Sequence, residues 1–126
     1  MEKLANRVVL LVDDEASNIY ALQNYLEALD VKVQTAKNGA EALSLLQSGT
    51  KVDIILLDMM MPVMDGYETL QVLKENHSLK DIPVIAVTAK AMKGDKEKCM
   101  EAGAWDYISK PLNMPLLLEK LNHWMP

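Results

Sequence analysis

Four stretches of this chain end an apolar run on a residue that can do chemistry. They are Val12-Asp13-Asp14-Glu15, Leu57-Asp58, Val87-Thr88 and Ser109-Lys110. At the points where the runs end they offer the carboxylates of Asp13, Asp14 and Asp58, the Thr88 hydroxyl and the Lys110 ammonium group. Three carboxylates held close repel one another and raise each other's pKa, and a bound divalent cation removes the conflict. No His or Cys stands among them, so all-oxygen ligation points to a hard ion, Mg²⁺ first and Mn²⁺ or Ca²⁺ next. Mg²⁺ takes one or two carboxylates and keeps waters, which leaves room for a phosphate oxygen. Lys110 and Thr88 supply what a transferred phosphoryl group wants, one point charge and one hydrogen bond. The most reactive use of the set is attack by a carboxylate on phosphorus, giving an aspartyl phosphate. Asp58 is the candidate nucleophile, because it alone combines a buried strand end with a central place in the set.

Each member also has an ordinary reading. Asp58 suits the turn after a strand, Asp14 a helix N-cap, Thr88 a strand end and Lys110 a solvated surface. What separates the two readings is whether the fold brings the four stretches to one place. Val52-Asp53-Ile54-Ile55-Leu56-Leu57 reads as a strand buried on both faces. Arg7 to Val12 reads as another, and Lys32 to Ala36 as a third, with Val31 and Val33 on one face. Pro83 opens a strand over Val84 to Val87, and Trp105 to Ser109 forms the last. Between them Ile19, Leu22, Leu26 and Leu29 mark one helix face, Ala42, Leu43 and Leu46 a second, and Leu70 and Leu73 a third. Ser48-Gly49 ends the second, and the third runs from Gly66 to Asn76. Asn38-Gly39 and Asp65-Gly66 read as turns.

Lys93 to Ala102 reads as a charged helix with only Cys99, Met100 and Ala102 to bury, so it should be the least firmly docked. Gly103 suits its αL terminus. Asn113 caps the last helix, Pro115 sits in its first turn, and Leu117, Leu121 and Trp124 line its inner face. Five alternations of strand and helix imply an α/β fold, a parallel sheet covered by helices on both faces. In such a sheet the C-terminal strand ends share one rim, where ligands bind. That rim would carry Asp13, Asp14, Asp58, Thr88 and Lys110.

Length and composition fit this. One domain over residues 1–126 is expected, and a half-apolar chain can build a core. Thirteen basic against eighteen acidic residues give a net charge of -5, which argues against a nucleic-acid surface. A single cysteine, Cys99, rules out an internal disulfide. The longest apolar run, Val8 to Val12, is too short for a membrane span and leads into acids, unlike a signal peptide. A soluble cytoplasmic protein is the expectation, without membrane insertion.

In order along the chain, Val12-Asp13-Asp14-Glu15, Leu57-Asp58-Met59-Met60-Met61-Pro62 with Met64-Asp65-Gly66, Val87-Thr88-Ala89 and Tyr107-Ile108-Ser109-Lys110-Pro111 resemble the response-regulator receiver domains of two-component signalling. The resemblance covers nearly the whole chain. It implies a doubly wound, flavodoxin-like (βα)5 fold with a five-stranded parallel sheet in the order 2-1-3-4-5. It implies that Asp58 is the phosphoacceptor, Asp14 a direct Mg²⁺ ligand, Asp13 a ligand through water, and the Met60 carbonyl part of the metal shell. Thr88, Lys110 and the Ala89 amide would hold phosphoryl oxygens, and Tyr107 takes the place of the switch aromatic. Lys110-Pro111 resembles a bond often cis in the family. The run Thr88-Ala89-Lys90-Ala91-Met92-Lys93-Gly94-Asp95 looks most like receivers attached to hybrid sensor kinases. Lys90 is a solvated charge or a further contact to the phosphoryl group, and Trp105 a packing anchor or part of a partner surface.

The resemblance implies a phosphoryl donor that is a histidine kinase or histidine phosphotransfer protein. It also implies a phosphoacceptor with self-limited autodephosphorylation rather than an enzyme. The output is expected to reach a protein partner through the face of the fourth helix, fifth strand and fifth helix, or a domain outside residues 1–126. Three alternatives are weaker. Aspartyl phosphatases resembling haloacid dehalogenases carry a second Asp two residues after the first, where this chain has Met60. A flavin domain of this fold needs a phosphate-cradling first loop, which Asp13-Asp14-Glu15 would repel. A receiver-like binding module without phosphorylation lacks the acceptor or the lysine, and both are present here.

Overall fold

A computed structural model describes residues 4–61, 63–89 and 94–125. The apolar runs form the strands β1 (Val8–Val12), β2 (Lys32–Ala36), β3 (Ile54–Asp58), β4 (Val84–Thr88) and β5 (Asp106–Ser109). The helices α1 (Ala16–Glu27), α2 (Gly39–Gln47), α3 (Gly66–Glu75), α4 (Asp95–Ala102) and α5 (Met114–Trp124) alternate with them. The sheet is parallel throughout, in the order β2-β1-β3-β4-β5. The expected fold class and strand order are therefore observed.

Side chains alternate across a strand, and the two faces feed two cores. Leu10, Val12, Ile55 and Leu57 pack with Leu43, Leu46, Leu70 and Leu73 under α2 and α3. Val9, Leu11, Ile54 and Leu56 pack with Leu22, Leu26, Leu117 and Leu121 under α1 and α5. Burying one such leucine stabilises the fold by roughly 1.5–3 kcal/mol.

Three local readings change. Asn38 and Asp65 are helix N-caps rather than turn residues, and Gly39 and Gly66 open their helices. The Asn38 side chain accepts from the Glu41 N–H at 2.9 Å. Asp65 accepts from the Glu68 N–H at 2.9 Å while Glu68 accepts from the Asp65 N–H at 3.3 Å, a reciprocal capping box. Met100 is exposed, so Cys99 is the buried side chain of α4. Trp105 lies just before β5 and stacks edge-on against Trp124, with ring centroids 5.5 Å apart, which makes it a packing residue. Lys93, the expected start of α4, and Lys90 lie outside the described residues.

The expected helix ends otherwise hold. Gly103 adopts φ 115°, and the Ala104 N–H donates to the Cys99 carbonyl at 3.1 Å. Asn113 caps α5 by accepting from the Leu116 N–H at 3.0 Å. No helix among the described residues is long and apolar enough to cross a membrane.

Candidate functional site

The register of the sheet assembles the rim. Val12 pairs with Leu57, so Asp13 follows beside Asp58. Asp58 pairs with Val87, and Thr88 pairs with Ser109, so Lys110 follows at the end of β5. Asp58 and Asp13 continue the alternation of Leu56 and Leu11 and point to the α1 and α5 side. Thr88 and Tyr107 continue the opposite face. Tyr107 lies across from Ala86, a small buried side chain two residues before Thr88.

Asp58 is 4% exposed and Asp13 8%, whereas Asp14 is open to solvent. One oxygen from each of the three can lie within 4.8 Å of the others. The Lys110 Nζ reaches both buried acids, at 3.4 Å from Asp58 Oδ2 and 3.6 Å from Asp13 Oδ2. Asp58 Oδ1 accepts from the Met60 N–H at 3.0 Å. The Lys110–Pro111 bond is cis.

The electrostatics follow from burial. Desolvation pushes the Asp58 carboxyl above its usual range, the Met60 N–H and Lys110 pull it back, and Asp13 adds repulsion. Burial works to lower the Lys110 ammonium, but the Asp58 and Asp13 carboxylates outweigh it and hold the pKa above the usual range. Both directions describe one crowded pair. Among the described residues Lys110 is the cation that touches this all-oxygen set, and it faces more negative charge than it balances, which suits a hard divalent ion.

Thr88 is 5% exposed, and its Oγ1 has no hydrogen-bond partner among the described residues. A buried hydroxyl left unpaired costs about 1–3 kcal/mol, so such a group commonly awaits a ligand or serves a function. The exposed Met60 side chain stands at the mouth, 68% accessible, between buried Met59 and Met61. Beneath Lys110 and the acids a cavity of about 290 Å³ runs between α1 and the loop after β5, floored by Leu11, Leu22, Leu56 and Val87.

The structure thus brings together Asp13, Asp14, Asp58, Thr88 and Lys110, with the Met60 and Ala89 backbones alongside and Tyr107 on the Thr88 face. It adds Asn18, which sequence reasoning missed. The Asn18 amide donates to Asp13 Oδ2 at 3.4 Å, while Asp13 Oδ1 accepts from the Glu15 N–H at 2.9 Å. Glu15, not Asp14, occupies the N-cap position of α1. That leaves the Asp14 carboxylate outside the cap and free to serve the cluster. The partners of Asn18, Asp13 and Glu15, both precede α1, so no helical spacing in the sequence announced it.

The sequence profile described as "Response regulator receiver domain" matches residues 9–122. Over 117 residues the chain is 38% identical to the polar-differentiation response regulator DivK of Brucella anthropi, covering 93% of this chain and 94% of that one. The receiver domain of the sensor histidine kinase PA1611 of Pseudomonas aeruginosa, solved with a magnesium ion in its active-site cleft, superposes with a TM-score of 0.85. Identity is 32%, and the match covers 95% of this chain and 98% of that one. The receiver domain of the Saccharomyces cerevisiae regulator Ssk1, solved with the histidine phosphotransfer protein Ypd1, superposes with a TM-score of 0.88. There the identity is 26% over 97% of this chain and 90% of that one.

Proposed function

This chain belongs to the response regulator receiver domains of two-component signalling, and from that membership we propose that it carries its signal as a phosphoryl group on Asp58. One observation carries the reading. Lys110 and three carboxylates converge on the end of β3, where Asp58 is the buried central member. The donor is a phosphohistidine on a histidine kinase or phosphotransfer protein, and residues 1–126 act as one domain in the cytoplasm.

An Asp58 carboxylate oxygen attacks phosphorus, the P–N bond breaks, and the imidazole leaves with the bonding pair. Lys110 faces the phosphoryl oxygens and neutralises charge that spreads over them. The Thr88 hydroxyl and the Ala89 N–H donate to the same oxygens. Mg²⁺ would be held by Asp13, Asp14, Asp58 and the Met60 carbonyl, Asp14 directly and Asp13 through water, and would supply further charge neutralisation and orientation. Water attack on phosphorus returns the Asp58 carboxylate, and with Met60 where a phosphatase would have a second Asp, turnover on a phosphate ester has no proton donor. Thr88 then draws toward the phosphoryl group and Tyr107 turns inward over Ala86, which alters the face of α4, β5 and α5 that a protein partner reads.

Incubation with acetyl phosphate and Mg²⁺ tests this directly. Intact mass should rise by one phosphate in the native protein and stay unchanged in Asp58→Asn. An equal rise in both proteins would refute the assignment.

A further inference from the structure

A second connection leads from Asp58 to α4 without passing through Thr88. The Gly66 N–H donates to the Met59 carbonyl at 3.2 Å. A Cβ on Gly66 would lie 2.6 Å from Met59 Cα and 3.0 Å from the Asp58 carbonyl oxygen, so α3 starts jammed against the Asp58 backbone. The next residue, Tyr67, spans to α4. Its hydroxyl lies 3.8 Å from Cys99 Sγ, and the Lys98 Nζ sits 4.6 Å from its ring centroid. Cys99 is fully buried, the one buried side chain of α4, with Ala102 packed partly buried against the same core.

We propose that Tyr67 is a positioning residue that latches α4 to the Asp58 loop through α3, and that the latch belongs to the carboxylate form of Asp58 and loosens when a phosphoryl group is added. The proposal rests on the phosphoacceptor reading of Asp58. In the structure the Asp58 carboxylate is engaged by Lys110 and the Met60 N–H, and the latch is closed. A phosphoryl group on Asp58 draws Lys110 to its own oxygens and turns the carboxyl that the Met60 N–H now holds into an aspartyl phosphate, so the Met59–Met60 backbone must adjust. The contact at Gly66 has no slack, which passes the shift to Tyr67. At the far end α4 is held by one buried side chain, so α4 gives way before α3 does.

Cys99 is the single cysteine of the chain, which makes its thiol a native reporter of the latch. Burial raises its pKa, with the Asp95 charge adding to that and the Tyr67 contact opposing it, so a docked α4 keeps it unreactive. The test measures its reaction with a coloured aromatic disulfide, with and without beryllofluoride and Mg²⁺, while amide shifts around Asp58 report binding. Beryllofluoride should speed the native reaction about two- to tenfold, the range of one modest contact. In Tyr67→Phe the thiol should already react fast, and the ratio should fall toward one. Beryllofluoride affinity should rise by the same factor, since coupling is reciprocal. Lys98→Met should move both readouts in the same direction, by less. A variant of Tyr67 that speeds the reaction equally in both conditions, with unchanged affinity, would reduce the tyrosine to ordinary packing and overturn the proposal. Asp58 shifts with unchanged thiol reactivity would overturn it too. Absence of the Asp58 shifts would overturn both this proposal and the phosphoacceptor reading.

Discussion

Thr88 holds a buried hydroxyl without a partner among the described residues, an arrangement that costs stability in the absence of a ligand. Thr88→Val keeps the shape and removes the hydroxyl. Denaturation in chelator should find this variant as stable as the native chain or up to about 2 kcal/mol more stable, while the inward turn of Tyr107 on phosphorylation is lost. A large loss of stability would mean the hydroxyl is already satisfied. Asp14 and Asp13 separate in a different way. A direct ligand loses an inner-shell bond on mutation, whereas solvent partly replaces a water-mediated one. Mg²⁺ calorimetry should therefore find Asp14→Ala weaker than Asp13→Ala, and both weaker than native. Equal affinity in Asp14→Ala and the native chain contradicts the assignment. Calorimetry suits this better than fluorescence, because Trp105 precedes β5 and Trp124 ends α5, away from the acids.

At the scale of elements, α5 is fastened to β5 by Asp106. Its carboxylate accepts from the Lys120 Nζ and the Trp124 Nε1–H, each at 2.9 Å. Burial alone would raise the Asp106 pKa, but the Trp124, Lys120 and Tyr107 N–H donors prevail and hold it below the usual carboxylate range. A depressed pKa contributes stability above the unfolded value near 3.8. That contribution is lost as pH falls through the folded value. Asp106→Asn should cost about 1–2 kcal/mol at neutral pH, with the gap to native closing below pH ~4. A gap independent of pH would assign the loss to packing alone. The Asp106 cluster was not legible in the sequence, because its members are 14 and 18 residues apart and meet only after α5 packs. Asn38 and Asp65 were misread for another reason, since a turn and an N-cap draw on the same short polar side chains. The strands were legible because β1, β3 and β4 are buried almost throughout, so little but apolar residues can occupy them.

For the whole molecule, parallel topology does the decisive work. It carries four separated stretches to one rim, and strand register then sets Asp13 beside Asp58 and Lys110 beyond Thr88. The acids and the lysine were legible for that reason, and Asn18 was not, because its role depends on how α1 leans over Asp13. The same two-sided sheet separates tasks. Asp58 and Asp13 face the α1 and α5 side, while Thr88 and Tyr107 face the side from which α4 is reached. On the proposed reading, a phosphoryl group at the rim would be felt on a surface remote from its donor, as a shift between two populated states. Transfer from a phosphorylated histidine protein in Mg²⁺, followed by borohydride trapping and peptide mass mapping, tests the account most directly. Borohydride reduces an aspartyl phosphate to homoserine, and the account places that conversion at Asp58 alone, absent in Asp58→Asn and in chelator. Conversion at Asp13 or Asp14, or undiminished transfer to Asp58→Asn, would contradict it.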